Sequence, residues 1–562
     1  MACRADALPE SHVRPIVGPG SQRAYNWQTL WQLSTLRVCM LTHRHGGFRQ
    51  CQRRDQSTGP LQRPATRTPS SPAVGGRSVT SGTTSLRGVT AVVETRYVEI
   101  PPPASPLDLG RPHFVGICGA GMSALAHLLA GRGAQVTGSD LRMGEAAAAL
   151  EEAGCRVRFG HDAANTAGAS VVVWSSVIDA ANPEIVAARA AGVPVAHRSH
   201  VLAQLVVEAD RSVVVAGTHG KSTATMMLAD AVGHLLPSWV AGATPVGSVN
   251  GHTGSSLLIA EGDESDRSVA QYRPDVAVVL NADDDHPETF AGTGDVVGTL
   301  TDFAVGAKAL VVCADDAGAR KVTSRVRSHG GVQVVTFGET AGADVRLLSA
   351  EPSQKGSAVT VLDLDGTRVS WTVRTPGRPA VLASLAAYTA GRVLGERPES
   401  LAAGLSGFRG VRRRMQLVGE RRGVRVVDSF AHHPTAIAAD ITTARELAGG
   451  RVIVAFEPCG STRVRVLGAR MGVALAAADE VVLLPVRDAV SSSASLASRG
   501  AMEEAAVGAG ARVRQVGGLA EAADVVAALA APGDVVLTMG VGEVAGLGAL
   551  LLAPADRPLT FV

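Results

Sequence analysis

The chain has 562 residues, a formal net charge of +2 and 46% hydrophobic residues, with only 3% aromatic side chains. This length suits three or four domains of ordinary size, and the near-neutral charge argues against a nucleic-acid-binding protein that relies on bulk electrostatics. No apolar run approaches the roughly 18 residues of a membrane span, and the 7 cysteines lack a C-x-x-C pair, so we expect a cytoplasmic protein without membrane insertion or structural zinc.

Residues 1–108 differ in composition from the rest of the chain. They contain no Lys, few acidic residues and many Arg, Ser, Thr, Gln and Pro, with little periodicity. A transit peptide has a similar bias. A disordered tail, or an upstream reading frame wrongly joined to the gene, fits better, because such a segment has little to bury in a core. We expect no fold here, and Pro101–Pro103 predicts a stiff linker to the folded part.

From residue 109 onward, apolar runs alternate with helix-compatible segments, which predicts an α/β fold with mostly parallel sheets in three domains. The first domain, 109–208, is predicted to be Rossmann-like. Its predicted strands are His113–Ile117, Gln135–Gly138 and Val171–Trp174, and its first helix is Ala124–Gly131.

The second domain, 209–396, is predicted to be a P-loop ATPase-type domain, and the third, 397–562, to be Rossmann-like. Alternating patches at Val345–Leu348, Ala358–Leu362 and Val369–Val373 predict a peripheral antiparallel sheet in the second domain. The other strands predicted there are Leu257–Ala260, Val276–Leu280 and Leu310–Val312, before a closing helix Ala380–Leu394. The strands predicted in the third domain are Val424–Val427, Val452–Phe456, Glu480–Leu484 and Asp534–Thr538.

The segment Val213–Thr225 is the most informative part of the chain and reads V-V-V-A-G-T-H-G-K-S-T-A-T. A strand followed by a Gly-rich turn and a helix builds a phosphate cradle, because glycines let backbone N–H groups approach oxygens and the helix N-terminus adds positive potential. Lys221 would reach the outer phosphates, and Ser222 can ligate Mg²⁺. Val215 stands where the full P-loop pattern has its first glycine, so an ordinary Gly-rich strand–helix turn is the alternative.

A second glycine-rich turn, Gly116–Ser123, follows the first predicted strand. It could bind a dinucleotide, another nucleotide diphosphate or nothing, since Cys118 stands where the usual fingerprint has a glycine. Asp140, about 20 residues further on, could accept a hydrogen bond from a ribose or a base. Tight strand–helix packing is the alternative.

Two acidic segments follow apolar strands of the second domain. They are E-G-D-E-S-D at 261–266 and N-A-D-D-D-H at 281–286. Carboxylates at the carboxyl ends of parallel strands lie where α/β sheets bind ligands, and they suit a hard cation such as Mg²⁺. His286 could complete a metal site with Glu261 and Ser222, the alternatives being a surface histidine and a solvated acidic turn. With the phosphate loop, these segments predict an ATP·Mg²⁺ centre on one sheet edge.

The order of these motifs resembles the Mur ligase superfamily over residues 112–550. The motifs are H-F-V-G-I-C-G-A-G-M-S (113–123), G-S-D (138–140), N-P-E (182–184), A-G-T-H-G-K-S-T (216–223), E-G-D-E-S-D (261–266), N-A-D-D-D-H (281–286), P-G-R (376–378), F-R-G-V-R-R-R (408–414), D-S-F-A-H-H-P-T (428–435) and T-M-G-V-G-E (538–543). The resemblance implies one domain for UDP-sugar recognition, a central ATPase domain and a C-terminal domain that helps to bind ATP and the amino acid.

The resemblance further implies an ATP-dependent ligase that joins the carboxylate of UDP-N-acetylmuramate to L-alanine, through an acyl phosphate, in peptidoglycan precursor synthesis. The implied catalytic residues are Lys221, His286 and Arg413, and the implied Mg²⁺ ligands are Ser222, Glu261 and His286. The implied ATP contacts are Gly217, Thr218, His219, Gly220, Lys221, Ser222, Thr223, Asn281, Arg413 and Asp428. The implied UDP-sugar contacts are Gly116, Gly119, Ala120, Gly121, Met122, Ser123, Asp140, Ser175 and Ser176. His432 and Arg463 are implied to orient the sugar-acid and amino-acid carboxylates.

Several positions in the C-terminal third depart from the family pattern. They are Pro379, Ala380 and Ala383 in place of amides that hold adenine, Phe430 in place of a Tyr, Ala436 in place of a Glu, and Glu457-Pro458-Cys459 in place of Q-P-H. Each hydrogen bond lost from a buried site typically costs about 1–3 kcal/mol. A degenerate paralogue that binds nucleotide or UDP-sugar without efficient ligation is therefore an alternative, as is a related ligase for another amino acid or a recycled peptide. The sequence gives no indication of oligomeric state.

Overall fold

The computed structural model describes residues 103, 105–353, 356–487 and 493–553. Nearly all of the predicted N-terminal extension lies outside these residues. The described chain forms three sheets of five, ten and six strands, and their helices and mostly parallel strands confirm the predicted α/β class. No helix in this part of the chain is long and apolar enough to cross a bilayer.

The first sheet is entirely parallel, with strand order β3-β2-β1-β4-β5. Its elements are β1 (Pro112–Val115), α1 (Ala120–Gly131), β2 (Thr137–Asp140), α2 (Glu145–Glu152), β3 (Arg156–Phe159), β4 (Val171–Trp174), α3 (Pro183–Ala190), β5 (Val195–His197) and α4 (Arg198–Glu208). The chain order reverses at β1, which pairs with both β2 and β4. The carboxyl end of β1 is therefore a topological switch point, where open α/β sheets bind ligands.

The second sheet has ten strands in the order β15-β14-β13-β12-β11-β10-β6-β9-β7-β8. Its first elements are β6 (Arg211–Ala216), α5 (Lys221–Ala231), β7 (Ser238–Val240), β8 (Gly251–His252), β9 (Leu257–Glu261), β10 (Val276–Val279) and α6 (Thr293–Ala304). They are followed by β11 (Ala309–Cys313), α7 (Ala317–His329), β12 (Gln333–Gly338), β13 (Val345–Ser353), β14 (Gly356–Leu362), β15 (Arg368–Val373), α8 (Arg378–Val393) and α9 (Pro398–Gly407).

The predicted antiparallel strands of this domain are present, but they do not form a separate sheet. β13 pairs in parallel with β12 and antiparallel with β14, so the three strands extend the edge of the parallel sheet. Sequence alternation shows that a strand is half-buried, but it carries no information about its neighbour, and for this reason the junction could not be predicted.

The third sheet has the order β16-β17-β21-β18-β19-β20. Its elements are β16 (Gln416–Arg421), β17 (Val424–Ser429), α10 (Pro434–Leu447), β18 (Val452–Glu457), α11 (Ser461–Leu475), β19 (Glu480–Leu483), α12 (Ser493–Gly508), β20 (Val513–Gln515), α13 (Leu519–Leu529), β21 (Val535–Gly540) and α14 (Leu547–Leu552). Separate hydrophobic clusters cover its two faces, as expected for a mostly parallel sheet with helices on both sides.

The first and second sheets share one hydrophobic cluster, and their contact is close at the start of α1. A Cβ atom on Gly251 would lie 1.9 Å from the carbonyl oxygen of Ala124, so only glycine fits there. Beside it, Asn250 Nδ2 donates to Ala120 O (2.8 Å) and to Ser123 Oγ (2.9 Å). These contacts hold the glycine-rich turn of the first domain against the second.

Candidate active site

The strand β6, a Gly-rich turn and helix α5 form the predicted phosphate loop. β6 lies between β9 and β10 in the middle of the sheet, and the chain turns at Gly217 (φ +131°) and Gly220 (φ +84°), where glycine is favoured. The first N–H of α5 to bond back along the chain belongs to Ala224, which donates to Gly220 O. The N–H groups of residues 221–223 thus have no partner within the helix, which is the arrangement that binds anions at helix N-termini.

Asn281, just after β10, fixes the shape of this turn. Its side chain accepts a hydrogen bond from His219 N (2.8 Å) and donates one to His219 O (3.0 Å). Thr218 Oγ1 accepts from the backbone N–H of Asp283 (3.0 Å). The side chains of Asn281 and Thr218 are both predicted to contact ATP. In the structure they form hydrogen bonds with backbone groups that hold the phosphate loop in place.

Replacing Gly217 with Ala is expected to raise the KM for ATP by about tenfold or more. A Cβ atom there would lie 3.0 Å from both the N and the O of Asn281, and the positive φ strains any L side chain by about 1–3 kcal/mol. Steady-state kinetics at varied ATP concentration measure the effect. Gly233→Ala is the matched control, because nothing lies within 4 Å of the added carbon. Equal KM values for the two variants would contradict the placement of Gly217 in the ATP site.

Lys221 points at a buried carboxylate that the motif analysis did not single out. Its Nζ lies 2.9 Å from Glu264 Oε1 and 2.8 Å from Oε2, and Glu264 is only 1% exposed. Burial lowers the pKa of the Lys221 ammonium, but Glu264, Asp263 and Glu261 outweigh it and raise the pKa above its ordinary value. Lys221 is therefore a fixed positive charge at the start of α5, where outer phosphates would bind.

Two of the three residues predicted to hold Mg²⁺, Ser222 and Glu261, offer the oxygen ligands that this ion prefers, and His286 offers a nitrogen. Ser222 Oγ is buried and has no hydrogen-bond partner within the described residues, so its hydroxyl is available to a ligand. Glu261 Oε2 accepts from Gly242 N (2.5 Å), and a Cβ atom on Gly242 would lie 2.7 Å from Oε1. The absence of that side chain leaves room for the carboxylate, and the donor set fits a magnesium ion.

His286 lies in a strained loop beside the Glu264 carboxylate. Its φ is +55°, a conformation that costs about 1–3 kcal/mol and is concentrated at functional sites. Nε2 lies 3.9 Å from Glu264 Oε1. Arg463, from the start of α11, contacts this loop through Asp285 Oδ1 (3.0 Å) and His286 Nδ1 (3.1 Å). Arg463 thus contacts the loop that carries His286, and its predicted role with a substrate carboxylate stays a prediction.

Arg413 and Asp428, which are predicted to contact ATP, are paired with each other in the third domain. Arg413 Nε donates to Asp428 Oδ2 (3.1 Å) and Nη2 to Gly540 O (2.7 Å). Asp428 Oδ1 accepts from Thr538 Oγ1 (2.9 Å). The guanidinium carbon of Arg413 lies 5.2 Å from the centre of the Phe430 ring. Phe430 lacks the hydroxyl of the family's Tyr, but its ring still packs on an arginine.

His432 is placed as a neutral ring. Its Nδ1 lies 2.8 Å from Phe430 O, which assigns the proton to Nδ1 and leaves Nε2 as an acceptor. Burial, aided by the charge of Arg463, lowers its pKa to about 3. A neutral imidazole has no charge with which to orient a carboxylate, but its Nε2 can accept a hydrogen bond, and the role of His432 in substrate binding stays a prediction.

The turn predicted to bind the UDP-sugar has backbone N–H groups available for hydrogen bonds, but some of its predicted side chains are already buried or bonded. Helix α1 begins at Ala120 with Gly119 as its N-cap, so the predicted turn contains the first turn of the helix, and the backbone N–H groups of residues 120–122 have no partner within it. Met122 is buried in the core. Ser123 N donates to Gly119 O, and its hydroxyl donates to Ala120 O and accepts from Asn250. Ser123 therefore holds the turn rather than presenting a free group.

Asp140 and the two predicted serines surround the same sheet edge. Asp140 Oδ2 accepts from Cys118 N (2.9 Å), and Gly116 has φ +75°, so this carboxylate closes the turn. Ser176 Oγ donates to Asp266 Oδ2 (3.1 Å), and Ser175 O accepts from Ile178 N (2.9 Å). The predicted first-domain contacts thus reach the acidic segment of the second domain.

Several residues that position the site were missed by motif reading. Arg198, at the start of α4, binds Asp263 (2.6 Å) and Asp266 (3.2 Å) and so joins the first domain to the acidic segment. Arg414 lies 5.2 Å from the centre of the Phe430 ring. Arg414 is the last residue of the recognised motif F-R-G-V-R-R-R (408–414), whereas Arg198 lies outside every recognised motif. Only the fold determines which of the neighbouring arginines faces the cleft.

A Rossmann-type domain, a phosphate loop on a parallel sheet and a third α/β domain that contacts the loop define a nucleotide-dependent enzyme built from three α/β domains. Three family models match the chain in the same order. They are the Mur ligase family, catalytic domain (residues 111–209), the Mur ligase middle domain (215–391) and the Mur ligase, glutamate ligase domain (413–542). The chain belongs to the Mur ligase family.

Curated relatives extend this similarity over most of the chain. The UDP-N-acetylmuramate–L-alanine ligases of Streptomyces avermitilis and Streptomyces coelicolor are 45% and 44% identical to it, each over 79% of this chain and 97% of the relative. The crystal structure of the UDP-N-acetylmuramate–alanine ligase of Thermotoga maritima matches with a TM-score of 0.67 and 26% identity, over 79% of this chain and 98% of that one. A murein peptide ligase from Psychrobacter arcticus shares the fold, with a TM-score of 0.61 and 21% identity.

Proposed function

We propose that this chain is an ATP-dependent ligase that joins the carboxylate of UDP-N-acetylmuramate to L-alanine in peptidoglycan precursor synthesis. The observation that carries the proposal is the phosphate loop, where the Lys221 ammonium is held by the buried Glu264 carboxylate at 2.8–2.9 Å. The 45% and 44% identity to ligases of this name supports the choice of substrates. Cytoplasmic location and binding of Mg²⁺ belong to the same proposal.

The first chemical step makes the sugar-acid carboxylate reactive. A carboxylate is a poor acyl donor, because its leaving group would be oxide. One carboxylate oxygen attacks the γ-phosphorus of ATP, the bond to the bridging oxygen breaks, and ADP leaves with the formation of an acyl phosphate. The protein would contribute mainly position and charge. The N–H groups of residues 221–223, at the start of α5, and the Lys221 ammonium would bind the phosphate tail.

In the second step, the amine nitrogen of alanine attacks the acyl carbon and phosphate leaves. The neutral His432 ring can accept a hydrogen bond from the amine at Nε2, but with a pKa of about 3 it is a poor base, so the proton that the amine loses leaves with the phosphate. Contact between the second and third domains, through Arg463 and Asp285 (3.0 Å), helps to exclude water, which would otherwise hydrolyse the acyl phosphate.

Magnesium, when bound, would neutralise charge on the transferring phosphoryl group. Ser222, Glu261 and His286 would hold it. Glu264 is then left to position Lys221, and Arg463 to position the loop that carries His286.

Two of the altered C-terminal positions, Glu457 and Phe430, have structural partners within the third domain. Glu457, which replaces a Gln, is buried, accepts from Val544 N (2.7 Å) and lies 3.5 Å from Arg487, so it has become part of the third domain's own structure. Phe430 keeps its stacking on Arg413 and Arg414. Both replacements therefore have structural partners and leave no buried group unsatisfied.

Phosphate release from ATP should require both UDP-N-acetylmuramate and L-alanine. The measurement is phosphate release by the full chain with each substrate omitted in turn, and with other amino acids or a muropeptide in place of alanine. Release with a peptide but not with alanine would point to a recycling ligase. Nucleotide binding without release for any acceptor would leave a degenerate paralogue and end the enzyme proposal.

A further inference from the structure

His219, Asp283 and His433 form a compact group between the second and third domains, which we call the bridging triad. His219 Nε2 lies 3.3 Å from Asp283 Oδ2, and His433 Nδ1 lies 3.8 Å from the same oxygen. The three ligand atoms all lie within 4.8 Å of one another. His219 belongs to the phosphate loop, Asp283 to the loop after β10, and His433 is the N-cap of α10.

These separations approach those of a tetrahedral metal site. Nitrogen and oxygen ligands at about 2.0–2.1 Å from a tetrahedral ion lie about 3.3–3.4 Å from one another. The His219–Asp283 pair is already at this separation, and the His433–Asp283 pair is close to it. His219 and Asp283 are half-buried while His433 is buried, so a fourth position open to water fits the site.

The surrounding hydrogen bonds orient the triad as outer-shell partners orient metal ligands. His433 Nε2 lies 2.9 Å from Asp284 O, so this nitrogen carries the proton and Nδ1 keeps its lone pair. A ring N–H that donates to a backbone carbonyl is the usual partner of a metal-bound histidine. Thr435 Oγ1 donates to Asp283 Oδ2 (2.6 Å), and the only other contact at His433 Nδ1 in this part of the chain is a long one from Thr435 N (3.3 Å).

The donor set selects the kind of ion. Mg²⁺ and Ca²⁺ prefer oxygen ligands, whereas two imidazoles and one carboxylate suit Zn²⁺ and related transition metals. We propose that the bridging triad is a binding site for one divalent transition-metal ion such as Zn²⁺, separate from the magnesium site, and that the ion ties the phosphate loop to the start of α10. The proposal concerns binding only and holds whatever reaction the enzyme catalyses.

The test is a Zn²⁺ titration of the metal-free full chain in excess Mg²⁺, by calorimetry, with Co²⁺ absorption as a probe of tetrahedral geometry. We expect one Zn²⁺ per chain and a rise in melting temperature, because an ion that binds only the folded state stabilises it. His433→Asn should weaken Zn²⁺ binding by about tenfold or more. Asn is a good N-cap, so this variant keeps the acceptor for Thr435 N, and its melting temperature without zinc reports that α10 is intact.

Two control variants test whether Zn²⁺ binds at the bridging triad rather than elsewhere in the chain. His329→Asn removes an exposed imidazole at the end of α7 and should leave the Kd for Zn²⁺ unchanged. Glu261→Gln alters the magnesium site and should also leave it unchanged. The proposal is overturned if the wild-type chain binds no Zn²⁺ in excess Mg²⁺, if the two histidine variants behave alike, or if only Glu261→Gln loses the ion.

Discussion

Lys221→Met lowers phosphate release by about 10²–10³-fold or more while UDP-N-acetylmuramate still binds with the wild-type Kd. This is the size of effect expected when a preorganised charge is removed from a transition state that develops negative charge. The sugar nucleotide is expected at the first domain, whose turn is held by Asp140 and Asn250 and not by Lys221. Rapid-quench phosphate release and calorimetric titration of UDP-N-acetylmuramate measure the two quantities.

The same substitution also affects stability, and the two effects can be separated. Breaking a buried ion pair by removing one partner costs about 3–5 kcal/mol, because the other charge stays buried, and Glu264 is 1% exposed. The double variant Lys221→Met/Glu264→Gln removes that charge, so its melting temperature should return toward the wild-type value while turnover stays lost. Lys321→Met, on the exposed side of α7, is the matched control and should change neither quantity.

Recovery of turnover in the double variant would show that Lys221 serves only to neutralise Glu264. Loss of UDP-sugar binding in the single variant would show that the sugar nucleotide does not bind where the first domain is predicted to hold it. The first result would remove the assignment of Lys221 to the phosphate site, and the second would remove the assignment of the sugar nucleotide to the first domain.

The strands that form the site could be predicted because each is an uninterrupted apolar run. β4 was predicted at Val171–Trp174 and lies there, since three valines in a row are typical of a parallel strand covered on both faces. α1 begins at Ala120 rather than at the predicted Ala124, because the prediction assigned Gly116–Ser123 to the glycine-rich turn, although Ala120 and Met122 favour a helix as strongly as the residues that follow them. The predicted turn Gly116–Ser123 therefore overlaps the start of α1, and the N–H groups without a helix partner belong to the first turn of that helix.

The side-chain partners within the site could not be predicted, because they depend on positions far apart in the chain. The acidic segment 261–266 was recognised, but its four carboxylates are equivalent in sequence, and only the loop conformation brings Glu264 to Lys221. Thr435 and Asp283 are separated by 152 positions, yet they share a hydrogen bond. Such contacts follow from the packing of the third domain on the second, which no local pattern encodes.

Ser222→Ala is expected to change activity and stability in opposite directions. Ser222 Oγ is buried without a hydrogen-bond partner in the described residues, and a buried hydroxyl left unsatisfied costs about 1–3 kcal/mol. Its removal should therefore leave the melting temperature of the ligand-free protein equal to or above that of the wild type. If the hydroxyl is a magnesium ligand, the same change raises the Mg²⁺ concentration for half-maximal activity and lowers kcat by about 10²-fold.

Ser238→Ala is the matched control for this prediction. Ser238 is as buried as Ser222, but its hydroxyl donates to Ser255 O (2.9 Å) and accepts from Gly254 N (2.9 Å). Its loss should cost about 1–3 kcal/mol of stability without altering the dependence on Mg²⁺. Ser222→Thr, which keeps a hydroxyl, should retain that dependence. If Ser222→Ala lowers the melting temperature and leaves turnover unchanged, the hydroxyl stabilises the fold. The prediction that Ser222 is a magnesium ligand would then be wrong.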